Sequence, residues 1–232
     1  MDTRSNRRHK PWLRVLGVLA LGSAAFVAVV GFAHTPAGRP LLRYLPGMGS
    51  SCPHAAAATM TADDRDRVRV QTLAQYRGEA PAASRDAAGF QLGSASRDEV
   101  ERWALAHALA CTAAGSSLRC DAVPAGALPP GHVADTIHFG FDARDRVVSV
   151  DLSSRLPDAA IAAQWVERSD ARLRAQLGEP TAQRGEATAA FMARAPLAQV
   201  ASEFRRTELR AKVSVTNLGH GRFAARETYQ QL

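Results

Sequence analysis

Nineteen consecutive residues, Val15 to Ala33, carry no charge, and they follow directly on Arg4, Arg7, Arg8, Lys10 and Arg14. As a helix rising 1.5 Å per residue, this stretch spans about 28 Å, close to the roughly 30 Å hydrocarbon core of a bilayer. Basic flanks stay cytoplasmic. The reading is a single-pass signal-anchor in the cytoplasmic (inner) membrane, with the N-terminus inside and the remaining chain in the periplasm. The bland alternative is a cleavable signal peptide, for which Gly31 and Ala33 offer small residues at a cut site. Its apolar region would be only about 7–15 residues, and the longer run favours retention. Cys52 lies too far beyond the run to be a lipidated cysteine.

The charge balance has to be partitioned before it says anything about partners. Residues 1–14 hold five Arg or Lys and one acid, a net of +4 out of the chain's +7, which leaves +3 for everything after them. Most of the excess is topology signal, so no nucleic-acid partner is implied. With 46% hydrophobic residues, the part beyond the anchor has enough apolar content for one or two small cores.

Five segments follow from composition and periodicity: a basic tail (1–14), the anchor (15–33), a Pro/Gly/Ala-rich spacer (34–60), and two α+β units (61–155 and 156–232). The spacer holds Pro36, Pro40, Pro46 and Pro53 without sustained periodicity. Thr61, followed by Asp63 and Asp64, suits a helix N-terminus, with Val70 and Leu73 turned inward before Gly78. Ser96 and Glu99 make a capping box, and Val100, Trp103, Ala104, His107, Ala108 and Cys111 form one helical stripe behind it. Ile137, Phe139 and Phe141, then Val148, Val150 and Leu152, alternate with polar residues around a turn at 142–145, which reads as a hairpin with one wet face.

The same order then recurs. Asp158 opens a helix carrying Ile161, Trp165, Leu173 and Leu177, closed by Gly178-Glu179-Pro180. Residues 187–193 read as a strand. Leu209, Ala211, Val213 and Val215 alternate with Arg210, Lys212, Ser214 and Thr216, and a turn at 217–221 feeds a return strand with Phe223 and Ala225 inward. The fold class is therefore α+β: one transmembrane helix, then two helix-plus-antiparallel-sheet units. In element order, over roughly 140 residues, this is similar to several small bacterial envelope proteins, among them the outer-membrane assembly lipoproteins and the β-lactamase-inhibitor repeat. The resemblance implies protein binding and carries over no residue roles.

Candidate chemistry is sparse. Cys111 and Cys120 close a short loop in an oxidising compartment and are expected to form a disulfide. A zinc site from His107, Cys111, Cys120 and His132 is disfavoured, because His-x3-Cys-x8-Cys matches no standard structural zinc spacing. Cys52 is left over, and it points to a homodimer bridge or an inert thiol. Cys52-Pro-His lacks the second cysteine of a redox pair, since the next residue is Ala55. No catalytic, cofactor-binding or metal residue is assigned. Strict alternation puts Arg210, Lys212, Arg222 and Arg226 on the outer face of the last hairpin, as a possible interaction face. The expectation is a non-catalytic interaction or scaffold module of the cell envelope with an unidentified envelope protein partner. The alternative is an envelope hydrolase whose site is not recognisable from sequence.

Overall fold

Thr61 supplies its hydroxyl to the backbone N–H of Asp64 and starts helix α1 (Ala62–Ala74), whose inward residue is Leu73. The structure is a computed structural model that describes residues 60–232; the apolar run Val15–Ala33, the spacer up to residue 59 and Cys52 lie outside the described residues. A two-residue hairpin, β1 (Asp86–Ala87) and β2 (Phe90–Gln91), leads to α2 (Arg97–Ala106). Both arms of the Ser96–Glu99 capping box are formed, as the spacing predicts. Among residues 60–232 no helix is long and apolar enough to cross a membrane.

Four strands follow: β3 (Ala110–Ala114), β4 (Ser117–Asp121), β5 (Thr136–Phe141) and β6 (Val147–Leu156). The long helix α3 (Ala159–Leu177) is capped by Asp158 and stopped by Gly178 at φ +80°, a backbone conformation open to glycine at little cost. After it come β7 (Ala182–Arg184), the short helix α4 (Ala189–Ala193), β8 (Gln199–Arg205), β9 (Leu209–Gly219) and β10 (Arg222–Gln231).

The strands of both stretches join in one antiparallel sheet of eight, in the order β3-β4-β5-β6-β10-β9-β8-β7. Each half is a helix followed by four strands that run from an edge to the centre, where β6 pairs with β10 from Phe223↔Leu156 to Gln230↔Ser149. The period of two then sorts every side chain onto one face or the other. One cross-strand row reads Leu118, Phe139, Val150, Tyr229, Ala211, Phe204, all buried. Trp165 and Leu173 of α3 belong to the same core, and Trp103 of α2 packs edge-on to Phe90 and Phe139. Burial of these apolar groups, at about 25 cal/mol per Å², is the main force holding the helices on this face.

Two expected local features differ. The stripe through Ala108 and Cys111 is not one helix: α2 ends at Ala106, Ala108 turns to φ +52°, and Cys111 lies in β3 opposite Cys120. Residues 189–193 are helical, because the Thr188 hydroxyl accepts from the Phe191 N–H and caps a turn. Trp165 is buried as its stripe requires, and Trp103, partly buried, packs against the same core and gives its indole N–H to the Ala127 carbonyl.

Candidate functional site

Among the described residues no helix covers the other face of the sheet in the way α2 and α3 cover the first. Its central row, across all eight strands, is Thr112, Arg119, His138, Asp151, Thr228, Lys212, Glu203 and Ala182. The adjacent row contains Ser153, Arg226, Ser214 and Ala201. Ser153, Ser214 and Thr228 leave low ground on the central strands between the longer Arg226 and Lys212. At Gly140, opposite Ser149, an added Cβ would stand 2.3 Å from the Ser149 hydroxyl oxygen, so a larger residue does not fit there without rearrangement.

Two hollows lie on this face. One, of about 560 Å³, is bounded by Arg119, Asp121, Asp135, Thr136, Ser153, Arg155 and Arg226; the other, of about 360 Å³, by Gln199, Arg210, Lys212, Ser214, Thr228 and Gln230. Ala224 and Arg226 line both, so they form one trough. At one end Tyr76, just beyond α1, places its ring 3.9 Å from the Arg210 guanidinium carbon. The chain beside it crosses β8 tightly, since a Cβ on Gly78 would stand 2.2 Å from the Arg205 carbonyl oxygen.

Most charges in the trough are paired with one another. Arg119 donates to Asp121 at 2.8 Å, Arg226 donates to Asp151 with its Nε at 2.9 Å, and Arg210 and Arg205 both donate to Glu203, at 2.7 and 2.9 Å. The hydrogen bonds from Arg119 and Thr136 lower the Asp121 carboxyl, and Asp121 raises Arg119. For Glu203, burial pushes the carboxyl up, but Arg205 and Arg210 outweigh it and hold it below its ordinary value. These groups stay ionised at neutral pH and are poor proton shuttles. Among the described residues Lys212, Arg155 and Arg184 have no ion-pair partner within 4 Å.

Of the basic residues expected on this face, Arg210, Lys212 and Arg226 do share it. Arg226 stands opposite Ser214, and Lys212 opposite Thr228. Arg222 begins β10 opposite Gly219, separated from the regular ladder by a register shift before Phe223, and is exposed at the turn. Alternation alone could not show the paired acids, which come from β6 and β8.

A second polar constellation lies inside. On β10 the inward parity of Phe223 and Ala225 continues through Glu227 and Tyr229, which places a carboxylate under α3. Arg172 donates to Glu227 Oε2 at 2.5 Å and to the Tyr229 hydroxyl at 3.1 Å, and Tyr229 in turn donates to Glu227. Arg172 Nη1 also lies 2.9 Å from His132 Nε2. Because arginine only donates, that ring nitrogen is the acceptor. Nδ1 lies 3.3 Å from Glu227 Oε1 without the geometry of a well-formed hydrogen bond. Burial pushes the Glu227 carboxyl up, but His132 and Arg172 outweigh it and leave it below its ordinary value; burial and the Glu227 charge push the Tyr229 phenol well above its own. These four side chains are joined by hydrogen bonds, with His132 Nδ1 and Arg172 Nε left without one, and they line neither hollow of the trough.

The remaining sequence candidates are placed as follows. Cys111 and Cys120 are bonded to each other, with Cα atoms 4.0 Å apart, so their sulfurs are not available to a metal, and His132 sits with Arg172. His107, the residue after α2, turns its Nδ1 to the Trp103 carbonyl at 2.8 Å. It borders an apolar recess of about 440 Å³ lined by Phe90, Trp103, Leu128, Pro129 and Pro130. The sequence reading missed Glu227, Tyr229, Arg172 and His132. Parity along 223–229 and the position of Arg172 seven residues after Trp165 are signals for three of them, whereas His132 has no local signal. Comparison with family models, with curated proteins and with solved structures finds no match.

Proposed function

We propose that the chain is a membrane-anchored, extracytoplasmic protein of a bacterial cell envelope, and that its two α+β units, 61–155 and 156–232, form a non-catalytic module presenting the uncovered sheet face to another envelope component. The observation that carries this reading is the trough: two hollows of about 560 and 360 Å³ that share Ala224 and Arg226 on a face without a helical cover among the described residues. Its side chains are mixed in length and in charge, and most of the charged ones are held by a partner. Such a surface is pre-organised for polar contacts with a protein and costs little ordering on association. Catalysis finds less support, because the trough's hydrogen-bonded acids and bases are fixed in their charged forms. Anchoring is supported by the uncharged run Val15–Ala33 and the basic residues before it.

Site-directed photo-crosslinking in native membranes tests the reading. A photoreactive residue in place of Ser153 or Thr228, on the trough, should give discrete adducts. The same residue in place of Arg168, exposed on α3, should give none. Equal labelling from both faces, or no adduct from the trough, would remove the basis for the proposal.

A further inference from the structure

We propose that β3 is a self-pairing edge, through which two copies of this chain join their sheets antiparallel about Thr112. The proposal is independent of what the trough binds. Among the described residues β3 is the last strand on its side of the sheet, and of its residues Ala110, Thr112, Ala113 and Ala114 are exposed. Natural edges are usually blunted by charge, proline, a bulge or shortness. The opposite edge, β7, is three residues long and carries Arg184. β3 is five residues of Ala-Cys-Thr-Ala-Ala with none of these guards and no register shift against β4.

Backbone geometry says which groups are free. The Cα atoms of Cys111 and Cys120 are 4.0 Å apart, the narrow separation of a non-hydrogen-bonded antiparallel pair. The main-chain groups of Ala110, Thr112 and Ala114 therefore point toward β4, and those of Cys111 and Ala113 point out from the edge. The latter have no other main-chain partner among the described residues. The disulfide clamps this strand to β4, so little ordering remains for a pairing strand to pay for.

A second copy is the occupant that the chemistry favours. A two-fold axis at Thr112 brings Cys111 opposite Ala113 of the other copy, where the outward groups exchange hydrogen bonds, and Ala110 opposite Ala114. Every facing side chain is small and uncharged. The nearest like charges on the outer face, Arg119 of each copy, are three strand spacings apart, about 14 Å and beyond the screening length. Leu105, 81% exposed near the end of α2, adds an apolar group five residues before β3. The paired strip is short, so the dimer is reversible.

Cysteine scanning of the full-length chain in a Cys52→Ser background tests this. Thr112→Cys should link to itself under mild oxidation, because at the axis it faces its own counterpart across a narrow pair. Ala114→Cys alone should not, since its counterpart is four residues away, about 13 Å. A mixture of Ala110→Cys and Ala114→Cys chains should give the heterodimer. Ala113→Pro removes only an outward N–H, a position where an edge strand tolerates proline, and should shift light-scattering mass from dimer to monomer with melting unchanged. The proposal fails if Thr112→Cys does not dimerise, if it links to a different protein, if Ala114→Cys links equally well, or if Ala113→Pro leaves the mass unchanged.

Discussion

Arg172 of α3 and Glu227 of β10 meet at 2.5 Å beneath the long helix, with Glu227 2% and Arg172 20% exposed. Removing one partner of a buried pair strands the other charge, which costs about 3–5 kcal/mol when burial is complete. Because Arg172 keeps some access to water, Glu227→Gln should lose about 2–4 kcal/mol in urea unfolding. Replacing both, as Arg172→Met with Glu227→Leu, should cost less than the two single changes together, because no uncompensated charge is left. A fully additive double mutant would show that the pair is not coupled.

The same carboxylate gives a pH dependence whose sign can be worked out. Glu227 sits below its ordinary value of 4.5 in the folded chain, so the folded state holds the charged form better than the unfolded state does. Its contribution is complete above about pH 4.5 and is lost as pH falls through the depressed value. Asp121 and Glu203 are shifted the same way and add to the acid loss. The Glu227 part is therefore read by difference: stability of Glu227→Gln should fall less steeply below pH 4.5 than that of the parent, and parallel curves would contradict the assignment.

What the sequence made legible was local and periodic. The Ser96–Glu99 capping box, the Gly178 stop and the alternation of residues 209–216 need only neighbours, and each appears in the structure where its residues put it. Cys111 continued a 3.6-residue stripe by coincidence, and only its pairing with residues from another strand makes it part of β3. β8 was hidden because Ser202 interrupts the apolar positions Val200 and Phe204, although it is buried like them. The joining of both halves into one sheet depends on β6 meeting β10 across about 75 residues, and His132 reaches Arg172 from a loop 40 residues earlier. Neither contact leaves a trace in local periodicity. Parity did gather three of the four basic residues on one face, but it could not see Asp151 and Glu203 beside them.

The disulfide joins two strands at the edge of the sheet across nine positions. Loop closure of this length is worth about 2.5–3 kcal/mol in the chain-entropy picture. Cys111→Ser with Cys120→Ser should lower stability by that order. The loss should concentrate where β3 frays, so amide exchange in residues 110–114 should quicken far more than in β10. Uniform acceleration throughout the sheet would mean that the bond supports the whole domain.

The basic residues before Val15 predict where the far end of the chain resides. A periplasm-active reporter fused after Leu232 should be active and a cytoplasm-active one silent. Replacing Arg4, Arg7, Arg8 and Lys10 together by Ser should weaken that preference. A strong cytoplasmic signal from the parent fusion would invert the topology and, with it, the compartment of the proposed partner.

The ion pairs on the uncovered face divide its cations into two kinds, and mutation should separate them. Lys212 has no ion-pair partner among the described residues, so Lys212→Ser should leave unfolding stability within about 0.5 kcal/mol, as surface changes usually do. Arg226→Ser releases Asp151, whose side chain is largely covered, and should cost about 1 kcal/mol because a half-buried carboxylate loses its donor. If the trough binds a partner, Lys212→Ser should weaken photo-crosslinking from Thr228 more at low salt than at high salt, because an unpaired surface charge acts through a screened field. Arg222→Ser, out at the turn, should do neither. Equal effects of Lys212→Ser and Arg222→Ser on crosslinking would show that position in the trough confers nothing beyond net charge.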